Sequence, residues 1–381
     1  MVNRAGIKRF VVPCLAVLLF MAAATASAGA QAVGGRSASR AAVLTFVTYK
    51  YIDPMTGMEA FRLLIPKGWK AEGKITWSAN PALPAQSRFR FYNPNGNEEL
   101  NFFPSQAYFW TNNRLFLSTN PPGSLRFGTL VMRPVDLKTA FTKSIIPRMR
   151  AGISGIRVLE EKPVPELAKI ARGESAPGVR SFAEAGKIRI QYGSGRPMEE
   201  EIYAAVSQFV TDIPGSGLGG SYFINYWYMD YVFSFKAEKG GLTPRSKLFQ
   251  TMIYSVRVNP RWFAKVVNVK EMLVQRAIKG IKAVGRIGEM VARAGSEMRA
   301  DQMRAWEQRQ QAQDRIAQNF SDYVRGVERF HDPLAGKEVE LPAGYGRAWA
   351  NNLGEYIVSD SPSYNPNIGS NLHWQELPPA K

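Results

Sequence analysis

The chain has 381 residues with 49 Lys and Arg against 31 Asp and Glu, and its formal net charge of +18 favours encounter with polyanions. Its single cysteine, Cys14, lies in an N-terminal apolar run, so the remainder excludes disulfides, thiolate metal sites and a cysteine nucleophile. Only His331 and His373 exist, which excludes a three-histidine zinc site and leaves a serine triad just these two as base.

Arg4, Lys8 and Arg9 precede apolar residues 10–24, and small residues follow to Ala30. That pattern predicts a secretory signal peptide over 1–30 and an exported, periplasmic or secreted protein. The run is short of the ~20 residues a membrane anchor needs. Residues 31–42 are small and polar and are expected to be a disordered lead-in.

From residue 43 the pattern turns strand-like. Phe46–Tyr51 and Phe61–Ile65 flank Asp53-Pro54-Met55-Thr56-Gly57, where Asp can bond the backbone ahead, Pro presets φ and Gly accepts the left-handed region. Trp69–Trp77 follows the Pro66-Lys67-Gly68 break. Asn93–Asn97 and Gly193–Pro197 predict two further hairpins, between Ser87–Tyr92 and Glu98–Phe103 and between Lys187–Tyr192 and Glu200–Val210. Asp136 caps a helix that Pro147 ends, and Ile156–Glu160 reads as a short strand. Tyr222–Phe235 is the most aromatic strand, apolar on both faces, and is expected to be central and buried. Thr243-Pro244 opens a helix running to about Arg257.

The segment Phe61-Arg62-Leu63-Leu64-Ile65-Pro66-Lys67-Gly68-Trp69 resembles the opening of PsbP/Mog1-like domains, in which a strand ends at a proline-glycine-tryptophan corner. With the hairpins and the late helix, the resemblance would cover residues 46–258 and implies an α/β/α sandwich on an antiparallel sheet, used mostly for binding and assembly. The layout also resembles that of uncharacterised secreted bacterial proteins. The fold expected is therefore α+β: an antiparallel sheet sandwiched by helices over 43–261, a long helical segment over 262–329 and a small β-meander tail over 330–381.

No proline occurs between Pro260 and Pro333, and Ala, Gln, Arg, Met and Glu dominate the interval, which is why it reads as helix. A narrow stripe of apolar and small residues from Leu273 to Gly295 is flanked by Lys270, Arg276, Lys279, Lys282, Arg286 and Arg293. These six are the candidate contacts to an envelope polyanion, an anionic membrane surface or a partner protein; nucleic acid is not expected as a partner. A straight helix of that length would reach ~100 Å, so a bend or a docked partner is expected. In the tail, Phe330–Glu338 and Leu341–Tyr345 repeat the Asp-Pro turn and proline-glycine corner of the opening, an echo that convergent turn chemistry explains more readily than duplication.

No Gly-x-Ser-x-Gly elbow, His-Glu-x-x-His helix or Walker loop is present. Carboxylates stand close in sequence at Glu199, Glu200 and Glu201, and at Glu355 and Asp360, the raw material of a glycan or ester hydrolase. A ligand groove could use Tyr226, Tyr228 and Asp230 from the aromatic strand, or His331, Trp349 and Glu355 from the tail. The leading expectation is an exported, non-catalytic binding or scaffolding protein with no cofactor and no metal. The alternatives are an envelope-active hydrolase using paired carboxylates and a peripheral binder of anionic membrane.

Overall fold

The computed structural model describes residues 43–380, apart from 127, 173–177, 216–219, 279–286, 298, 301, 302, 305 and 308–326. The predicted signal peptide and lead-in lie outside the described residues.

Strands form where the sequence alternates aromatic and β-branched residues between turn signals. β1 (Val43–Asp53) and β2 (Met58–Pro66) close on the Asp53–Gly57 turn, and β3 (Lys70–Trp77) and β4 (Ala85–Tyr92) form a second hairpin. β5 (Glu99–Phe102) and β6 (Gln106–Thr111) are separated by Pro104, and β7 (Leu125–Arg126) and β8 (Thr129–Val131) follow. The longest strands come next: β9 (Arg157–Pro163), β10 (Arg180–Tyr192), β11 (Met198–Ile213) and β12 (Tyr222–Glu238). After β13 (Arg257–Val258) and two helices, the tail supplies β14 (Val327–Asp332), β15 (Lys337–Pro342), β16 (Arg347–Asn351), β17 (Glu355–Ser359) and β18 (Trp374–Glu376).

They build two large sheets and a hairpin. The larger has ten strands, ordered β3-β4-β5-β12-β11-β10-β9, with β6 also paired to β12 and carrying β8 and β7. The smaller is ordered β13-β2-β1-β17-β16-β18. Between the two lies an aromatic core: Phe61 and Tyr51 from the small sheet meet Phe89 edge-on at 4.9 and 4.7 Å, and Tyr203 stacks on Phe233 at 4.6 Å. Helices Ser246–Tyr254 and Pro260–Ile278 join this core through Phe249, Met252, Trp262, Val266 and Val269. The opposite face of the large sheet buries Ile188, Ile190, Ile202 and Trp227 under the helical segment 137–149, through Phe141 and Ile145. β12 is thus apolar on both faces because both are covered.

Two expectations are corrected. An α+β sandwich with a long helical segment does not describe the protein: among the described residues strands hold 44% and helices 22%, and no long helical segment is evident. Helix Pro260–Ile278 covers part of the region read as one helix, and Ile287–Arg293 lies beside it, so that Lys265 Nζ donates to Ala294 O at 2.8 Å and Asn268 Nδ2 to Gly295 O at 2.9 Å. Arg299 then pairs with Glu271 at 2.6 Å. The reason is burial: Trp262, Phe263, Val266, Val269 and Leu273 bind the helix to the core, and a chain that stays on that core must turn back. The second correction concerns the sandwich's helical layer, since a second sheet occupies one face of the large sheet. That sheet is shared with the tail, β17 pairing antiparallel with β1 from Val43↔Ser359 to Val47↔Glu355. Hairpin β14–β15 covers its outer face, Phe330, Val339 and Leu341 packing over Phe46, Leu64 and Val358.

Candidate ligand-binding cleft

The site is built where the large sheet forks. On one side of β12, β6 pairs with Ile224–Met229 and β5 with Phe233–Lys236, so two strands share one neighbour end to end. The join, Phe103-Pro104-Ser105, faces Asp230–Val232, where Phe103 N–H donates to Val232 O at 2.9 Å. Proline has no N–H to strand at such a gap.

Across β12 the ladder with β11 bulges: Tyr203 pairs with Phe233 and Ala205 with Asp230, so Tyr231 and Val232 face Ala204 alone. Tyr231 takes φ +52°, the one positive φ at a non-glycine among the described residues. A left-handed residue with a Cβ costs about 1–2 kcal/mol. Asp230 holds the bulge: its Oδ1 accepts Tyr231 N–H at 2.8 Å and the Ser105 hydroxyl. Burial pushes the Asp230 carboxyl up to about 6, against the opposing pull of those two hydrogen bonds.

The fork opens into a cleft of 390 Å³. Its polar wall is Asn80, Gln86, Arg88, Ser105, Gln106, Tyr108 and Arg148, and its apolar wall includes Leu83, Phe103, Leu130, Ile145 and Met149. Tyr108 is fixed by stacking on Trp227 at 4.1 Å, whose Nε1 donates to Met132 O at 2.8 Å. The Tyr108 hydroxyl donates to Gln106 Oε1; burial raises its pKa, partly offset by neighbouring Arg148. Gln86 Nε2 donates to Ser105 O at 3.2 Å, tying β4 to the fork.

Arg88 and Arg148 are exposed and, among the described residues, neither forms an ion pair, whereas their neighbours do. Arg90 grips Glu99, which also holds Lys236 at 2.7 Å, and Arg150 forks onto Glu200. Two guanidiniums without a carboxylate, facing a polar cleft, can receive an anion bidentately.

The sequence candidates fall in separate places. Tyr226 is half-buried with its ring against Phe109 at 5.3 Å, and Tyr228 is buried with Phe209 and with Leu83, which also lines the cleft. Asp230 lies at the fork beneath Ser105. His331 is exposed in the tail hairpin, its N–H bonded to Pro378 O. Trp349 is buried between Tyr364 and the overlying Arg347, and Glu355 is held by Lys67 at 3.2 Å and Asn351 at 3.0 Å. None of these six lines the cleft. Among the basic candidates Lys270 is buried, Arg276 half-buried and Arg293 exposed, while Lys279, Lys282 and Arg286 lie outside the described residues. Glu200 is tied to Arg150 and the Tyr192 hydroxyl, and Glu201 to Lys187 and Arg189 at 3.1 and 2.9 Å.

Arg88, Ser105, Gln106, Tyr108 and Arg148 were not singled out by sequence. A usable signal was Pro104 between two β-prone runs, which marks a strand leaving its ladder. Among the described residues no group of three or more His, Cys, Asp or Glu could hold a metal, and no helix is long and apolar enough to cross a membrane. The chain matches no protein-family model, and no curated protein matches it. The likeness to PsbP/Mog1-like domains therefore rests on Phe61–Trp69, the hairpin order and the late helix alone.

Proposed function

We propose that the protein is an exported, non-catalytic binding protein that takes an anionic ligand in the fork cleft. The observation that carries this reading is the pair Arg88 and Arg148, on β4 and on the segment 137–149, both facing the cleft and neither engaged by a carboxylate. Export is supported by the basic, apolar and small-residue pattern of residues 1–30. Binding is favoured over hydrolysis because Glu200 and Glu201 are each engaged by cations and tyrosine, leaving no free carboxylate pair there. Calorimetric titration with citrate, phosphate and uronates tests the reading. Arg88→Ala and Arg148→Ala should each weaken the best anion by tenfold or more, the scale of a lost charged hydrogen bond; unchanged affinity in both would end it.

A further inference from the structure

Lys74 stands directly opposite Arg88 in the β3–β4 ladder, so the two side chains emerge on one face of the sheet. Like charges in that position repel, and among the described residues neither makes an ion pair. The next row is treated differently: Glu72 faces Arg90 at 3.7 Å, and Glu99 grips the same guanidinium. On the other side Thr76 faces Gln86, a neutral row. β3 is the edge of the sheet, so the Arg88–Lys74 row runs from the cleft to the rim with no strand beyond it.

Resting on the reading of the cleft as an anion site, we infer that its ligand is a polymeric acidic saccharide. One acidic unit sits between Arg88 and Arg148, and the chain leaves over β4 and β3 so that Lys74 meets a second acidic group. The neutral groups of the cleft suit a sugar. Gln86 spends its Nε2 on Ser105 O and Gln106 its Oε1 on Tyr108, which leaves one amide oxygen and one amide nitrogen for ring hydroxyls. A single-stranded nucleic acid would ask for open aromatic faces on which to stack. Here Tyr108 is 3% exposed and already stacked on Trp227.

The test titrates the full exported chain, wild type and Lys74→Ala, with galacturonic acid and its oligomers of increasing length, and with an oligothymidylate as control. Lys74 is exposed on an edge strand, and equal melting temperatures verify that the variant folds. The inference expects dimer or trimer to bind at least tenfold tighter than monomer. Lys74→Ala should remove most of that gain while changing monomer affinity less than twofold. It is overturned if length brings no gain, if the variant weakens monomer and oligomer alike, if no uronate binds, or if oligothymidylate binds as tightly. Those failures leave the cleft itself open to the separate Arg148→Ala titration with citrate or phosphate, which alone decides the anion site.

Discussion

Asp230 shows how one residue couples backbone strain to the cleft. Its carboxylate satisfies the amide of the left-handed Tyr231 and the hydroxyl of Ser105, so bulge and fork are held by the same atom. The cost is a buried charge. Its folded pKa, about 6, lies above the ordinary 3.8, so the unfolded chain ionises first and the folded protein loses stability as pH rises from about 4 to about 6. The loss amounts to about 3 kcal/mol once complete. Asp230→Asn keeps the acceptor oxygen and removes the titration. Urea denaturation at pH 4 and pH 7 should therefore show the variant gaining on wild type by about that amount across the interval. Parallel pH profiles would contradict this account of the bulge.

Elsewhere the same residue type does a quieter task. Asp53 is buried in its turn, Oδ1 accepting Met55 N–H and Oδ2 the indoles of Trp77 and Trp262 at 2.9 and 2.8 Å. In the tail, Asp332 Oδ1 accepts Leu334 N–H, and Oδ2 accepts the Tyr356 hydroxyl at 2.7 Å. Both turns end on a left-handed glycine, Gly57 and Gly336. Each aspartate thus joins a local turn to an aromatic donor from a distant strand.

At the scale of elements, the tail is structurally part of the small sheet. Without it, β1 would present a free edge and Phe46 and Leu64 would lose their cover of Leu341, Tyr356 and Val358. Exposed hydrophobic edges pair with other chains. Deleting 327–381 should give a protein that aggregates or elutes as oligomers in size-exclusion chromatography. A monomer with the full-length urea midpoint would show that the tail is dispensable.

The helices follow the same logic. Pro260–Ile278 has its apolar face on the aromatic core, and its basic residue Lys270 is buried rather than displayed. An apolar period fits the helix Pro260–Ile278, but the absence of proline does not set a helix's length. Proline is one way to stop a helix; running out of core to cover is another.

For the whole molecule, the positive charge and the cleft combine into one expectation. Attraction between a +18 chain and an acidic ligand is screened within about 10 Å at 0.1 M salt, so affinity in the cleft should fall steadily as salt is raised. Export is checked by N-terminal sequencing of the secreted or periplasmic protein, which should begin at Gly29 or Gln31. Full-length chain retained in the cytoplasm would refute it.

What could be read without coordinates was local. The Asp53–Gly57 and Asn93–Asn97 turns, the Gly193–Pro197 hairpin and the double apolar face of Tyr222–Phe235 each depend on residues within one turn or one strand, where φ preference and alternation act directly. Cysteine, histidine and charge content likewise excluded whole chemistries at once. Pairing β1 with β17 joins positions some three hundred residues apart, and no local preference encodes that partner. The cleft is of the same kind. Arg88 and Arg148 lie in unrelated segments, and Ser105 meets Asp230 only because a bulge and a proline break fall opposite each other on β12. Register and packing bring these side chains together, so only the tertiary structure decided where the protein could hold a ligand.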